Sequence, residues 1–234
     1  MRREDFMDRI RQATAAGRAY QVALNPLATA EQSYVGGGSD PVATFLMEWR
    51  AVGGFGERVP HAAAVWEYLA QFLVKHTVRS VLIWRHPVLE ELGVAGWLTA
   101  RGLEVLCWDD LEALPAEERR ARTFAADLGI TGVDWAVAET GSLVVCARPG
   151  GQGRSVSLLP PRHVAICKAS QIVPDLFDLF QELGVESTTH GLPSNVTLIT
   201  GPSKTGDIQL KLTTGVHGPG EVHVVVWEPG QPDA

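Results

Sequence analysis

The chain has 234 residues, 45% hydrophobic and 20% charged, with 20 basic against 27 acidic side chains and a formal net charge of −7. That composition supports one large folded domain and excludes disorder over the whole length, while the acidic balance works against non-specific attraction to nucleic acid or an anionic bilayer. Cys107, Cys146 and Cys167 are the only cysteines, and no C-x-x-C occurs. The expectation is therefore no disulfide framework, no zinc ribbon or iron–sulfur cluster of the usual spacing, and a reducing, cytoplasmic setting.

Residues 1–40 read as an appendage. The N-terminal segment mixes both charges with sparse apolar residues, unlike a secretory signal, and predicts a short amphipathic helix with Phe6 and Ile10 on one face, followed by a polar linker ending at Gly36-Gly37-Gly38. Asp40 as N-cap and Pro41 at the first helical position open the next helix, whose Phe45, Leu46 and Trp49 share one stripe before Gly53-Gly54. A further helix over residues 61–76 places Val65, Leu69, Phe72 and Leu73 on one face. A strand at 80–84, a helical stretch around 89–99 and a strand at 103–108 then make a βαβ unit. A charged helix at 116–126 precedes strands at 134–138, 143–147, 164–167, 196–200 and 222–227, with helices at 171–183 and after Gly206. No apolar run reaches the ~18 residues of a membrane span.

Short strands rich in Val, Ile and Leu, separated by helices, define an α/β protein with a mostly parallel sheet covered on both faces. Only Glu139-Thr140-Gly141-Ser142 separates the strands at 134–138 and 143–147, too little chain for a crossover, so these two pair as an antiparallel hairpin and the sheet is mixed.

The familiar site fingerprints are absent. No G-x-G-x-x-G occurs, Gly201-Pro202-Ser203-Lys204-Thr205 lacks Walker spacing and fails the G-x-S-x-G elbow at Thr205, and none of the seven histidines belongs to an H-E-x-x-H pair. What remains is a set of segments dense in small and polar residues beside strands: residues 131–142, from Thr131-Gly132-Val133-Asp134 to Glu139-Thr140-Gly141-Ser142; Pro160-Pro161-Arg162-His163; and residues 201–208, followed by Gly215-Val216-His217-Gly218-Pro219.

In this order, together with the segment from Phe45 to Gly53-Gly54, these motifs closely resemble the lactate-utilisation protein C family, whose module is the LUD domain; the resemblance runs from about Pro41 to Glu228. It implies residues 41–234 as a LUD domain after the 1–40 appendage. It also implies a three-layer α/β/α sandwich around a mostly parallel, mixed sheet with an inserted hairpin, similar to glucosamine-6-phosphate deaminase, ribose-5-phosphate isomerase and CoA transferases. The implied role is that of a component of L-lactate oxidation to pyruvate, acting with partner subunits that carry the iron–sulfur clusters. The chain lacks the cysteine-rich tail of one companion type, so no cofactor is expected on this chain itself.

Glu139 resembles the catalytic glutamate of a CoA-transferase Glu-Asn-Gly turn, here Glu-Thr-Gly, and fits a base or nucleophile; the same turn equally fits a hairpin closed by Thr140 and Gly141 with no chemistry. Asp134 falls on the strand face opposite Glu139, which disfavours a carboxylate dyad. Gly201, Ser203, Lys204, Thr205, Gly206 and Asp207 follow a strand and suit a helix-opening loop that holds a small carboxylate or phosphate; an ordinary helix cap at Thr205 is the plain alternative. His217 suits a general acid or a donor to a ligand oxygen, His163 a structural histidine, and Arg162 either added charge at a site or a solvated loop. A free-standing CoA-transferase or isomerase using Glu139, or a non-catalytic anion-binding module, are the rival functions. All seven tryptophans fall in or beside predicted elements, as core or interface residues do.

Overall fold

The computed structural model describes residues 3–17, 36–148, 152–205 and 213–229. Residues 1–34 form one unit and residues 35–234 another. The first contains α1 (Arg3–Gly17), with Glu4 and Asp5 in its first turn, where acidic side chains favour the helix dipole, and an Asp8–Arg11 ion pair at 2.8 Å. Phe6 lies on this helix as expected; the side chain of Ile10 and the linker up to residue 35 lie outside the described residues.

In the second unit, α2 (Pro41–Ala51) begins as the sequence predicts, with the Asp40 carboxylate accepting from the Ala43 amide at 3.1 Å and Pro41 in the first turn. It leads into β1 (Phe55–Val59), a strand without an apolar run and hence invisible to periodicity. His61 and His76 cap α3 (Ala62–Lys75), which buries Val65, Leu69, Phe72 and Leu73. Each such burial is worth roughly 1.5–3 kcal/mol. After β2 (Ser80–Ile83) the expected single helix is two: α4 (Pro87–Glu91) and α5 (Val94–Thr99), broken at Gly93, whose φ of +64° is left-handed.

Next come β3 (Glu104–Cys107), α6 (Trp108–Glu112), α7 (Ala116–Ala125) and β4 (Leu128–Gly132), followed by β5 (Trp135–Val137) and β6 (Ser142–Ala147). Then follow α8 (Ser155–Leu158), β7 (Arg162–Lys168), β8 (Ile172–Val173) and α9 (Leu176–His190). The helix expected over 171–183 thus starts later and ends later, because Gln171 belongs to a 3₁₀ turn and the Asp175 carboxylate caps the amides of Phe177 and Asp178. The chain ends with β9 (Asn195–Ile199), β10 (Lys204–Thr205), β11 (Thr213–Thr214) and β12 (Glu221–Trp227). The helix expected after Gly206 falls on residues 206–212, outside the described residues.

Six strands in the order β1-β12-β7-β4-β2-β3 form a sheet that is parallel throughout. The predicted hairpin is present, Trp135 opposite Val144 and Val137 opposite Ser142, and it sits in a second sheet, β8-β5-β6-β9, which supplies the mixed character. Alternation along β7 and β12 sorts the core. Val164, Ile166, Val225 and Trp227 belong to the cluster that contains α3, while Ala165, Cys167, Val222, Val224 and Val226 pack with Phe45, Leu46 and Trp49 of α2 and with Ala136, Ala138 and Leu143 of the hairpin. The other face of the hairpin, Val137, Val144 and Cys146, packs on Leu179 and Leu183 of α9, whose outer side leaves Phe177 and Phe180 more than half exposed. The result is a mostly parallel central sheet flanked by helices. Among the described residues no helix is long and apolar enough to cross a membrane.

Candidate functional site

In an open parallel sheet the ligand crevice forms outside the carboxyl ends of the strands, where successive connections depart in opposite directions. Here that point lies between β2 and β4, since the chain goes from β2 out to β3 and returns to the other side of β2. A cavity of about 330 Å³ opens at this position, lined by His86 and Val88 after β2, Asp134 and Trp135 after β4, Lys168 at the end of β7, Gln171 in the turn that follows, and Glu186 of α9.

Each polar side chain in the cleft is held by a local feature. His86 is buried, caps α4, and its Nδ1 accepts from the Val88 amide at 3.4 Å, which leaves the proton on Nε2. Room for this ring requires glycine at 132, where a Cβ would lie 2.1 Å from Nδ1. Burial lowers the His86 pKa below its ordinary value against the opposing pull of Asp134, so the imidazole is neutral at pH 7. Asp134 accepts from the Cys146 amide at 2.7 Å and from the Arg148 guanidinium, whose other arm binds Glu186. Burial is the largest single influence on Arg148 and opposes its charge, yet the bond to Asp134 and the attraction of Asp134 and Glu186 together outweigh it and the net shift is upward, so this cation stays charged and fixes the two carboxylates.

The side-chain amide of Gln171 donates to the Val133 and Asp134 carbonyls and its oxygen accepts from the Lys168 amide at 2.7 Å, which fixes the strand-end turn. The Lys168 ammonium meets Glu91 at 2.5 Å and lies 5.3 Å from the Trp227 ring; Glu91 is about half exposed, so the pair is open to solvent on that side and an incoming anion can compete with Glu91 for the ammonium. The cleft offers one exchangeable cation, one neutral imidazole and a rigid carboxylate–guanidinium frame: a set suited to a small hydroxy acid or similar carboxylate.

Of the residues singled out in sequence, Gly141, Gly201 and Lys204 gather elsewhere, around the end of α2. Glu139 donates its backbone amide to the Pro174 carbonyl at 3.0 Å and its side chain packs against Gly36, where a Cβ would come within 2.2 Å of Glu139 Cβ. Gly141, with φ +59°, lies against the backbone of Glu48 and Trp49, and Thr140, Ser142 and Thr200 form a chain of hydroxyl contacts of 2.7 Å each. That chain joins the hairpin turn to Gly201, which has φ +82° and packs on the Val52 carbonyl. Lys204 donates from Nζ to the same carbonyl, a cation at a helix C-terminus.

Lys204 and Thr205 are not the start of a helix: they pair antiparallel with Thr214 and Thr213. Ser203 accepts from the His217 amide at 3.3 Å, and His217 itself is exposed. Gly206 and Asp207 lie outside the described residues. His163 is fully buried against Thr131 at 2.8 Å, and Arg162 lies 3.6 Å from Glu221. Sequence reasoning missed His86, Lys168 and Gln171. The available signal was positional: each follows a short apolar strand, and His86-Pro87 reads as a helix start.

A mostly parallel sheet flanked by helices, with a cleft at its strand-order reversal, defines an α/β class of protein. Within that class the chain belongs to the LUD domain family, whose match spans residues 42–227. It is 36% identical over 148 residues to "Lactate utilization protein C" of Halalkalibacterium halodurans, covering 63% of this chain and 62% of that one. It is 35% identical over 157 residues to the protein of the same name from Macrococcus caseolyticus, covering 65% and 63%. The match therefore spans a little under two thirds of these relatives. A crystal structure of a DUF162 family protein from Deinococcus radiodurans superposes with a TM-score of 0.58 at 25% identity, covering 80% of this chain and 96% of that one.

Proposed function

We propose that this protein is a component of an L-lactate utilisation system, acting in the oxidation of L-lactate to pyruvate with iron–sulfur partner proteins in the cytoplasm. The observation that carries the reading is the 36% identity over 148 residues to a protein named for lactate utilisation. The cleft chemistry supports it: Lys168 suits a lactate carboxylate, and neutral His86, with its proton on Nε2, suits a hydrogen-bond donor to the lactate hydroxyl oxygen. Oxidation of lactate to pyruvate releases two protons and two electrons, and the electrons require an acceptor.

The thiols of this chain are poorly suited to holding one. Cys146 and Cys167 are buried with pKa values pushed up to about 12, and burial also raises that of Cys107, so all three stay protonated at neutral pH. Iron–sulfur partners fit this need, and the exposed Phe177 and Phe180 of α9 supply apolar surface of the kind a partner covers. Deleting the gene tests the reading. Growth on L-lactate should be lost and restored by the wild-type gene, while Lys168→Ala should restore it poorly although a thermal melt shows the variant folded. Unimpaired growth of the deletion strain on L-lactate would contradict it.

A further inference from the structure

At the opposite, amino end of the sheet, the C-terminus of α3 meets the start of β12 in a cluster that the cleft does not use. His76 Nε2 lies 3.4 Å and His223 Nε2 2.9 Å from the same oxygen, Oε1 of Glu221. The three ligand atoms all lie within 4.8 Å of one another. Zinc bonds of about 2.0–2.1 Å in tetrahedral geometry set ligand atoms about 3.3 Å apart, close to the 3.4 and 2.9 Å separations of the two imidazole nitrogens from Glu221 Oε1.

The contacts around the cluster agree. His76 is about nine-tenths buried, and its Nε2 has no hydrogen-bond partner although it points at the carboxylate. His223 has its other nitrogen, Nδ1, on the Tyr68 hydroxyl at 2.6 Å, the outer-sphere contact that fixes a ligating imidazole. Phe55 stacks on His223 at 4.7 Å and Phe72 packs edge-on to it at 4.8 Å and against His76 at 4.4 Å, which pins both rings. His76 also caps a 14-residue helix, whose C-terminal field favours a cation. Two cations oppose it: Arg162, 3.6 Å from the second oxygen of Glu221, and Lys75 beside His76.

We propose that His76, Glu221 and His223 form a binding site for a zinc-class divalent cation, with both imidazoles coordinating through Nε2, the carboxylate through Oε1, and water completing the sphere. The bound ion ties the end of α3 to the start of β12. The test uses untagged, full-length protein stripped with a chelator and titrated with Zn²⁺ and, separately, Co²⁺. Wild type should bind one equivalent of Zn²⁺ by calorimetry and elemental analysis, and one equivalent of Co²⁺ should give the intense visible band of four-coordinate cobalt. His76→Gln and His223→Gln should lose that site, and Tyr68→Phe should weaken it by about 10-fold or more. The cobalt spectrum of wild type keeps the test decisive if a variant misfolds. Failure of wild type to take up a stoichiometric ion, a pale six-coordinate cobalt spectrum, or folded histidine variants that bind as well as wild type would overturn the site.

Discussion

His163 sits fully buried on β7 with its Nε2 on the Thr131 hydroxyl, and burial pushes its pKa from 6.5 down to about 3. The unfolded chain takes up a proton on this ring near pH 6.5 and the folded chain does not until about pH 3. Stability is therefore intact above 6.5 and falls as pH drops toward 3, by up to roughly 1.4 kcal/mol per pH unit from this residue. His76, His86 and His223 are shifted in the same direction and add with the same sign. Urea denaturation at a series of pH values checks this: His163→Gln should show a shallower acid slope than wild type, by about one proton. An equal slope would mean that this ring is not held neutral. His217, by contrast, is exposed, and its backbone amide, rather than its ring, contacts Ser203. The sequence motifs single out His217 and pass over His86, which is buried just after β2.

Among the elements, those with local signals were legible and those defined by neighbours were not. Asp40-Pro41 and the stripe of α3 announce their helices because caps and periodicity are written in adjacent residues. β4 gave no such signal: Leu128-Gly129-Ile130-Thr131-Gly132 carries two glycines, yet it is a fully buried strand between β2 and β7. Its glycines answer to distant chain, since a Cβ at 129 would lie 2.0 Å from the Val156 carbonyl oxygen and one at 132 would strike His86. Gly129→Ala should cost about 1–3 kcal/mol in chemical denaturation, because backbone cannot step aside as a side chain can.

The last turn of α2 supports a different prediction. Lys204 interacts with the Val52 carbonyl, so Lys204→Ala should lower stability by up to about 1 kcal/mol and leave binding of L-lactate in the cleft unchanged. Loss of lactate binding with unchanged stability would return the anion site to the loop at 201–207.

For the whole molecule, the strand order decides where chemistry is placed. Residues 86, 134 and 168 are far apart in sequence and converge only because β2, β4 and β7 stand side by side. No local motif marks such a site, which is why the α/β class and the LUD resemblance were readable from sequence while the cleft was not. The central claim is that this chain takes part in L-lactate oxidation with iron–sulfur partners. Its most direct test is L-lactate-dependent reduction of an electron acceptor by the native complex, purified with and without this chain. The account predicts that the rate falls to background without the chain and returns when purified protein is added back. An undiminished rate in its absence would contradict it.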